Sequence, residues 1–286
     1  MKVKTFFDNS SSTFTYIVID EATKKCAVID SVLDYDHSSG QVKTDSANQV
    51  INYVKDNNLS NEWILETHIH ADHITASKYL QTHIGGKTAI GARIKEVLKI
   101  WVPMFDDTNV TPITGEQFDT LLNEGDTISI GNITLVTWFT PGHTPACASY
   151  YCEEFDAIFV GDTIFSPSIG TARADFPGGS ATSLFNSIQR IYTLPDKTTI
   201  YLCHDYPAEG NEPLSAVSVG EQKKTNVQIR PDTTLEEFVE KRKARDASLS
   251  VPKLLFPSLQ TNLRLGDFGV KSESGLQYIK IPINAL

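Results

Sequence analysis

The chain has 286 residues, 40% of them hydrophobic and 21% charged, with a formal net charge of −10 and four cysteines. That composition gives apolar residues enough for a sizeable core and excludes disordered and low-complexity classes. Its acidic balance and scattered lysines and arginines leave no electrostatic footprint for nucleic acid or an anionic membrane surface, so a small-molecule substrate is expected.

No apolar run approaches the roughly 20 residues of a membrane span, and the opening MKVKTFFDNSSSTFTY lacks the apolar core of a secretory signal. A cytoplasmic location is therefore expected. Cys26, Cys147, Cys152 and Cys203 form no C-x-x-C pair, which points to reduced thiols. One domain is expected over 1–286, with a core over about 10–210 and a helical or extended C-terminal extension over 211–286.

Taken in chain order, TFTYIVID and KKCAVID predict a β-hairpin across the polar turn EATK. In TDSANQVINYVKDNN, Ala47, Val50, Ile51 and Val54 recur at helical spacing behind Thr44 or Asp45 as cap. WILET reads as a short strand, ITASKYLQTH as a helix, KTAIG as a strand and ARIKEVLKIW as a helix. DTISI, ITLVTWF, ASYYCE and AIFVGD are β-rich runs punctuated by Gly131 and the turn TPGH. SATSLFNSIQRIYTL predicts a helix with Leu184, Ile188 and Ile191 on one side, and TTIYLCHDY a strand. EPLSAVSVGEQKKTNV and TTLEEFVEKRKARDASL read as surface helices, the second with a capping box from Thr234 to Glu237. The Pro-punctuated VPKLLFPSLQTNLRLGDFG is expected to pack as an extension. The insertion over 103–125 is expected to cover the site or to form a subunit contact. Mixed β runs followed by helices, twice over, imply two central sheets covered outside by helices.

Three of the seven histidines and an aspartate crowd into ETHIHADHITASKYL, directly after an apolar strand. In an extended segment His68 and His70 point to the same side, and a loop can bring Asp72 and His73 around to a neighbouring position. Imidazoles mixed with a carboxylate, and no cysteine, suit a catalytic metal better than a structural one. Downstream, TPGHT, VGDT and LCHDY each follow a β run and deliver one further candidate ligand, His143, Asp162 and His204.

On these residues the chain resembles the metallo-β-lactamase superfamily, whose H-x-H-x-D-H signature is matched by His68-Ile69-His70-Ala71-Asp72-His73. The later family ligands are matched by His143, Asp162 and His204. The resemblance implies an α/β (α+β) fold, an αββα four-layer sandwich with the metal site at one edge of the paired sheets. Within the superfamily, THIHADHIT, TPGHTPACASYY, GTARADFPGG and LPDKTTIYLCHDY look like the persulfide dioxygenases. TARADFPGG and PSLQTNLR are similar to their bacterial branch, the β-lactamase hydrolase-like proteins.

That resemblance implies one non-haem Fe(II) per chain, held by His68, His143 and Asp162, a face that leaves coordination positions open. It implies oxidation of a low-molecular-weight persulfide, glutathione persulfide foremost, by O2 to sulfite and the parent thiol. His70, Asp72, His73 and His204 form a polar outer shell, or a second metal position if the site holds one or two Zn(II). Arg173 is expected to orient anionic groups of the substrate. Asp175 is expected to hydrogen-bond a ligating histidine, against the alternative of a mutual ion pair between the two. Asp72, Asp175 and Tyr206 are the candidate catalytic side chains outside the metal set. A glyoxalase II-like zinc thioester hydrolase and a non-catalytic sulfide sensor are the competing readings. A sulfurtransferase that supplies the persulfide and a second copy of the chain stay open as partners.

Overall fold

In the computed structural model, which describes residues 1–284, two six-stranded sheets lie face to face with helices outside them. The chain opens with three antiparallel strands, β1 (Lys2–Asp8), β2 (Thr13–Asp20) and β3 (Lys25–Ile29). The expected hairpin is β2–β3, and β1 adds an edge strand ahead of it. A short ribbon of β4 (Val32–Asp36) and β5 (Gln41–Lys43) leads to α1 (Asp45–Asp56), β6 (Ser60–Leu65) and β7 (Ile74–Thr75). Then come α2 (Ser77–Ile84), β8 (Lys87–Gly91), α3 (Ile94–Met104) and β9 (Thr120–Leu122). The first sheet runs β1-β2-β3-β6-β8-β9, parallel from β3 onward.

The second half supplies β10 (Thr127–Ile130), β11 (Ile133–Phe139), β12 (Ala148–Cys152), β13 (Ala157–Phe159), α4 (Ala181–Ile191), β14 (Thr199–Tyr201) and β15 (Ala216–Ser218). These six strands form the second sheet in sequence order. Three helices close the chain, α5 (Val219–Thr225), α6 (Leu235–Asp246) and α7 (Leu255–Asn262).

Period-two alternation explains the layering. In β2, Phe14, Tyr16 and Val18 enter the core between the sheets, where they meet Ile128, Leu135, Tyr150 and Phe159. The intervening Ile17 and Ile19 face outward, onto Val50, Ile51 and Val54 of α1. Leu184, Ile188 and Ile191 of α4 cover the other sheet through Ile158 and Ile200. This is the αββα sandwich.

Two expectations change. The N-terminus of α1 is held by Asp34, whose carboxylate accepts from Ser46 N (2.9 Å) and Ser46 Oγ (2.6 Å), and the side chains of Thr44 and Asp45 make no cap bond. The segment read as one surface helix from 212 divides: Ala216–Ser218 pairs with β14, whose edge would otherwise carry unpaired backbone groups, and only Val219–Thr225 is helical. The 103–125 insertion carries β9 at the edge of the first sheet and is tied to the C-terminal segment, where Gln117 donates to Leu263 O (2.8 Å) and Asp107 pairs with Arg264. The C-terminal segment packs on the fold as expected: Leu255, Leu259, Leu263 and Leu265 share a buried cluster with Ile94, Leu98 and Trp101 of α3. The capping box on α6 is present as read.

Candidate metal centre

The candidate ligands arrive on loops at the ends of strands from both sheets, where side chains from several elements can converge. His68, His70, Asp72 and His73 follow β6. His143 lies between β11 and β12, Asp162 follows β13, and His204 follows β14. The five histidines are almost completely buried, and Asp162 is 7% exposed. Gly161, at φ +50°, turns the chain directly before Asp162, and a Cβ there would collide with Thr67.

The structure brings all seven residues together. Ligand atoms of His68, His143 and Asp162 lie within 4.8 Å of one another, as do those of His70, Asp72 and His73. Asp162 Oδ2 is 3.9 Å from His68 Nε2 and 3.7 Å from His143 Nε2, while its Oδ1 is 3.2 Å from His204 Nε2. Asp162 thus stands between the two groups. Asp72 Oδ2 is 3.5 Å from His204 Nε2 and 3.4 Å from His73 Nδ1.

The fit to a metal rests on unpaired atoms. His68 Nε2, His70 Nδ1 and His73 Nε2 are buried without a hydrogen-bond partner, an arrangement that folded chains rarely leave unsatisfied, and His204 Nε2 faces Asp162 Oδ1. The opposite ring nitrogen of each histidine is tied down. His68 Nδ1 meets Thr67 Oγ1 (3.0 Å), His70 Nε2 meets Asp30 Oδ1 (3.2 Å), and His143 Nδ1 donates to Arg173 O (2.9 Å). Thr13 Oγ1 lies 3.4 Å from His73 Nδ1 and 3.2 Å from His204 Nδ1, and His204 Nδ1 also donates to Ser12 O (3.1 Å). One nitrogen anchored and the other bare is how ligating imidazoles are oriented. The donors are nitrogen and carboxylate oxygen, a set that takes Zn or Fe.

Charge supports the same assignment. Burial depresses the His68 imidazole well below 6.5, which leaves it neutral and able to ligate. Burial opposes the charge on Asp162, yet His204 and His68 hold its carboxyl well below the usual range. Burial also opposes a charge on His204, but Asp162 and Asp72 outweigh it and raise its pKa to about 9.

Three positioning residues escape sequence reasoning. Asp30, at the end of β3, accepts from Thr67 N and Thr67 Oγ1 (both 2.8 Å) as well as facing His70. Glu66 Oε2 lies 3.2 Å from the same His70 nitrogen, and its other oxygen accepts from Thr75 and Ser77. Thr13 joins Asp72, His73 and His204. The only local signal is a carboxylate or hydroxyl beside an apolar β run.

Asp175 requires correction. Its carboxylate makes a two-pronged ion pair with Arg173 (2.7 and 2.8 Å) and bonds no ligating histidine, and His143 donates to the Arg173 carbonyl. A guanidinium two residues away matches both carboxylate oxygens, which a single imidazole N–H cannot. Arg173 also donates to Ser250 O and lies over the Phe176 ring at 4.8 Å.

A cavity of about 400 Å³ opens onto the centre. His143, Asp162, His204 and Asp72 lie on its metal side, Phe165, Ile169, Phe176 and Leu249 give it apolar walls, and Arg173, Arg242 and Arg245 supply cations. Tyr206 borders it too. The ring of Tyr206 stacks near His204 with centroids 6.2 Å apart, and the side chain is 51% exposed. Cys147 and Cys203 are buried free thiols near the centre, and burial pushes Cys147 up to about 12, which argues against a thiol relay. No helix among the described residues is long and apolar enough to cross a membrane.

Comparison with known proteins agrees with this geometry. The family model described as the metallo-beta-lactamase superfamily matches residues 10–204. The chain is 44% identical to "Glyoxylase B2" of Dictyostelium discoideum over 100% of this chain and 98% of that protein. It is 43% identical to a "Beta-lactamase hydrolase-like protein" of Xylella fastidiosa over 100% of this chain and 65% of that protein. A mitochondrial "Persulfide dioxygenase ETHE1" of Bos taurus is 30% identical over 92% of this chain and 88% of its own. Among solved structures, ETHE1 from Myxococcus xanthus superposes with a TM-score of 0.74 at 28% identity, covering 93% of this chain and 100% of the other. Ligand signature, sandwich and family match coincide, and the chain belongs to the metallo-β-lactamase superfamily.

Proposed function

We propose that the protein is a persulfide dioxygenase, which oxidises glutathione persulfide or a related low-molecular-weight persulfide to sulfite and thiol. The observation that carries this reading is the face of His68, His143 and Asp162, of which His143 and Asp162 line a cavity with apolar walls and arginine side chains. His68, His143 and Asp162 would hold an Fe(II), which would supply O2 chemistry when bound. The similarity to the Bos taurus persulfide dioxygenase supports the same reading.

The protein's own residues bind and orient. Arg242 pairs with Asp246 and Arg173 with Asp175, so the guanidinium of Arg245, which has no ion-pair partner among the described residues, is the cation left for an anionic substrate. Phe165, Ile169 and Phe176 keep bulk water from the persulfide end of the substrate. Tyr206, at the mouth, is placed to donate its hydroxyl proton in a hydrogen bond. The overall balance is RSSH + O2 + H2O giving RSH and sulfurous acid, which ionises to sulfite. The test is to measure O2, sulfite and thiol together in iron-loaded protein. Equal amounts support the proposal, and thiol release without O2 consumption contradicts it.

A second reading has its own observation. His70 Nδ1, His73 Nε2 and Asp72 complete a second metal position, which suits a dinuclear zinc hydrolase of glyoxalase II type. Hydrolysis of a glutathione thioester by the zinc form would support that reading.

A further inference from the structure

The loop that carries four of the seven candidate ligands has almost no regular structure of its own. Between β6 and β7 every residue of 66–73 except the half-buried Asp72 is buried, so the carbonyls there need partners from elsewhere in the fold. For two of the histidines that partner lies 192 and 189 residues away in sequence. Asn262 Nδ2 donates to His70 O (2.9 Å) and to His73 O (2.8 Å). The same side chain accepts from Thr75 N through Oδ1 (2.8 Å). Asn262 is 1% exposed, and its amide is nearly saturated by one loop.

We propose that Asn262 is a positioning residue of the metal centre, an amide clamp that fixes the peptide units of His70 and His73 and so aims their bare ring nitrogens. Among the described residues no other donor reaches either carbonyl. Only an amide carries two N–H donors and one acceptor in a single plane at this reach. An aspartate would oppose both carbonyls with negative charge, and an aliphatic side chain would leave three buried backbone groups unpaired. The clamp is itself held in place. Gly266, at φ +85°, lets the chain turn against Thr75 where a Cβ would strike the Thr75 carbonyl, and Lys78 N donates to Leu265 O (3.0 Å). Residues past the family match, 255–266, are on this account part of the metal centre.

The inference rests on the metal centre and not on the reaction performed there, so its readout is metal affinity. Metal-free protein is titrated with Co(II) and with Zn(II) against a chromophoric chelator, and the visible Co(II) spectrum reports ligand geometry. Asn262→Ala is expected to weaken metal binding about 10- to 100-fold, the usual consequence of losing an outer-shell partner, and to alter the Co(II) bands. Ile188→Ala, a core truncation in α4 on the far side of the second sheet, is the control for general destabilisation and should keep wild-type affinity. If N262A does not fold, Asn262→Ser retains one donor and should lie between wild type and full loss. Wild-type affinity and spectrum in a folded N262A or N262S protein would overturn the proposal. So would an equal loss in I188A. A failed dioxygenase assay touches neither outcome.

Discussion

Replacing Asp30 by asparagine probes how the first ligands are held. The buried carboxylate accepts two hydrogen bonds at 2.8 Å from Thr67 and one at 3.2 Å from His70, with the weaker Cys203 thiol donor at 3.8 Å. An asparagine keeps one acceptor oxygen and presents an NH2 group where the other stood, so one or two of these bonds are lost. Hydrogen bonds to a charged group are worth about 1.5–3 kcal/mol each, which places the expected cost at roughly 1.5–6 kcal/mol. Freed from its anchor, the His70 ring can turn, and metal affinity should fall about 10- to 100-fold. Acid behaviour gives a second reading of the same bonds. Burial opposes the charge on Asp30, but the His70 imidazole outweighs it and keeps the carboxyl below its ordinary 3.8. The stabilisation is therefore present above that value and lost as pH falls through the lower folded one, a dependence that D30N removes. Urea unfolding of the metal-free proteins and zinc titration of each supply the numbers. A stability change under about 0.5 kcal/mol with unaltered zinc affinity would mean that Asp30 does not organise the site.

Arg245→Ala should raise KM for glutathione persulfide about tenfold or more, the scale of one charge-assisted contact, and leave kinetics with an uncharged alkyl persulfide unchanged. Equal effects on both substrates would remove Arg245 from recognition. Tyr206→Phe is expected to lower kcat/KM about three- to tenfold, the worth of one neutral hydrogen bond, with no change in metal affinity; unchanged kinetics would leave the residue without a role. Zinc affinity should rise with pH between about 6.5 and 9 and then level off. His204, raised to about 9, holds a proton in this window that a metal must displace, at about tenfold per pH unit for each proton. Calorimetry in buffers of different ionisation enthalpy counts those protons, and a flat profile would contradict the charge assigned to His204.

The candidate ligands were legible because their signals are local. Four fall within six residues, and the others each end an apolar β run. Layering was legible for the same reason, through period two in β2 and the helical repeat of Val50, Ile51 and Val54. The groups that hold the ligands were hidden, since Asp30, Thr13 and Asn262 act across long sequence separations and nothing beside them in the chain marks the partner. Asp175 escaped because the guanidinium two residues away takes both of its carboxylate oxygens. Residues 216–218 were misread because their pairing with β14 is tertiary and overrides the helical character that continues into Val219–Thr225.

One preparation of metal-free protein, divided and reconstituted in parallel with Fe(II) and Zn(II), settles the reaction. Oxygen uptake with glutathione persulfide is recorded for both halves and for His143→Ala. The proposed activity requires uptake in the iron half alone, abolished by H143A. Absence of uptake in fully metallated iron protein, with thioester cleavage in the zinc half, would contradict it and establish the hydrolase.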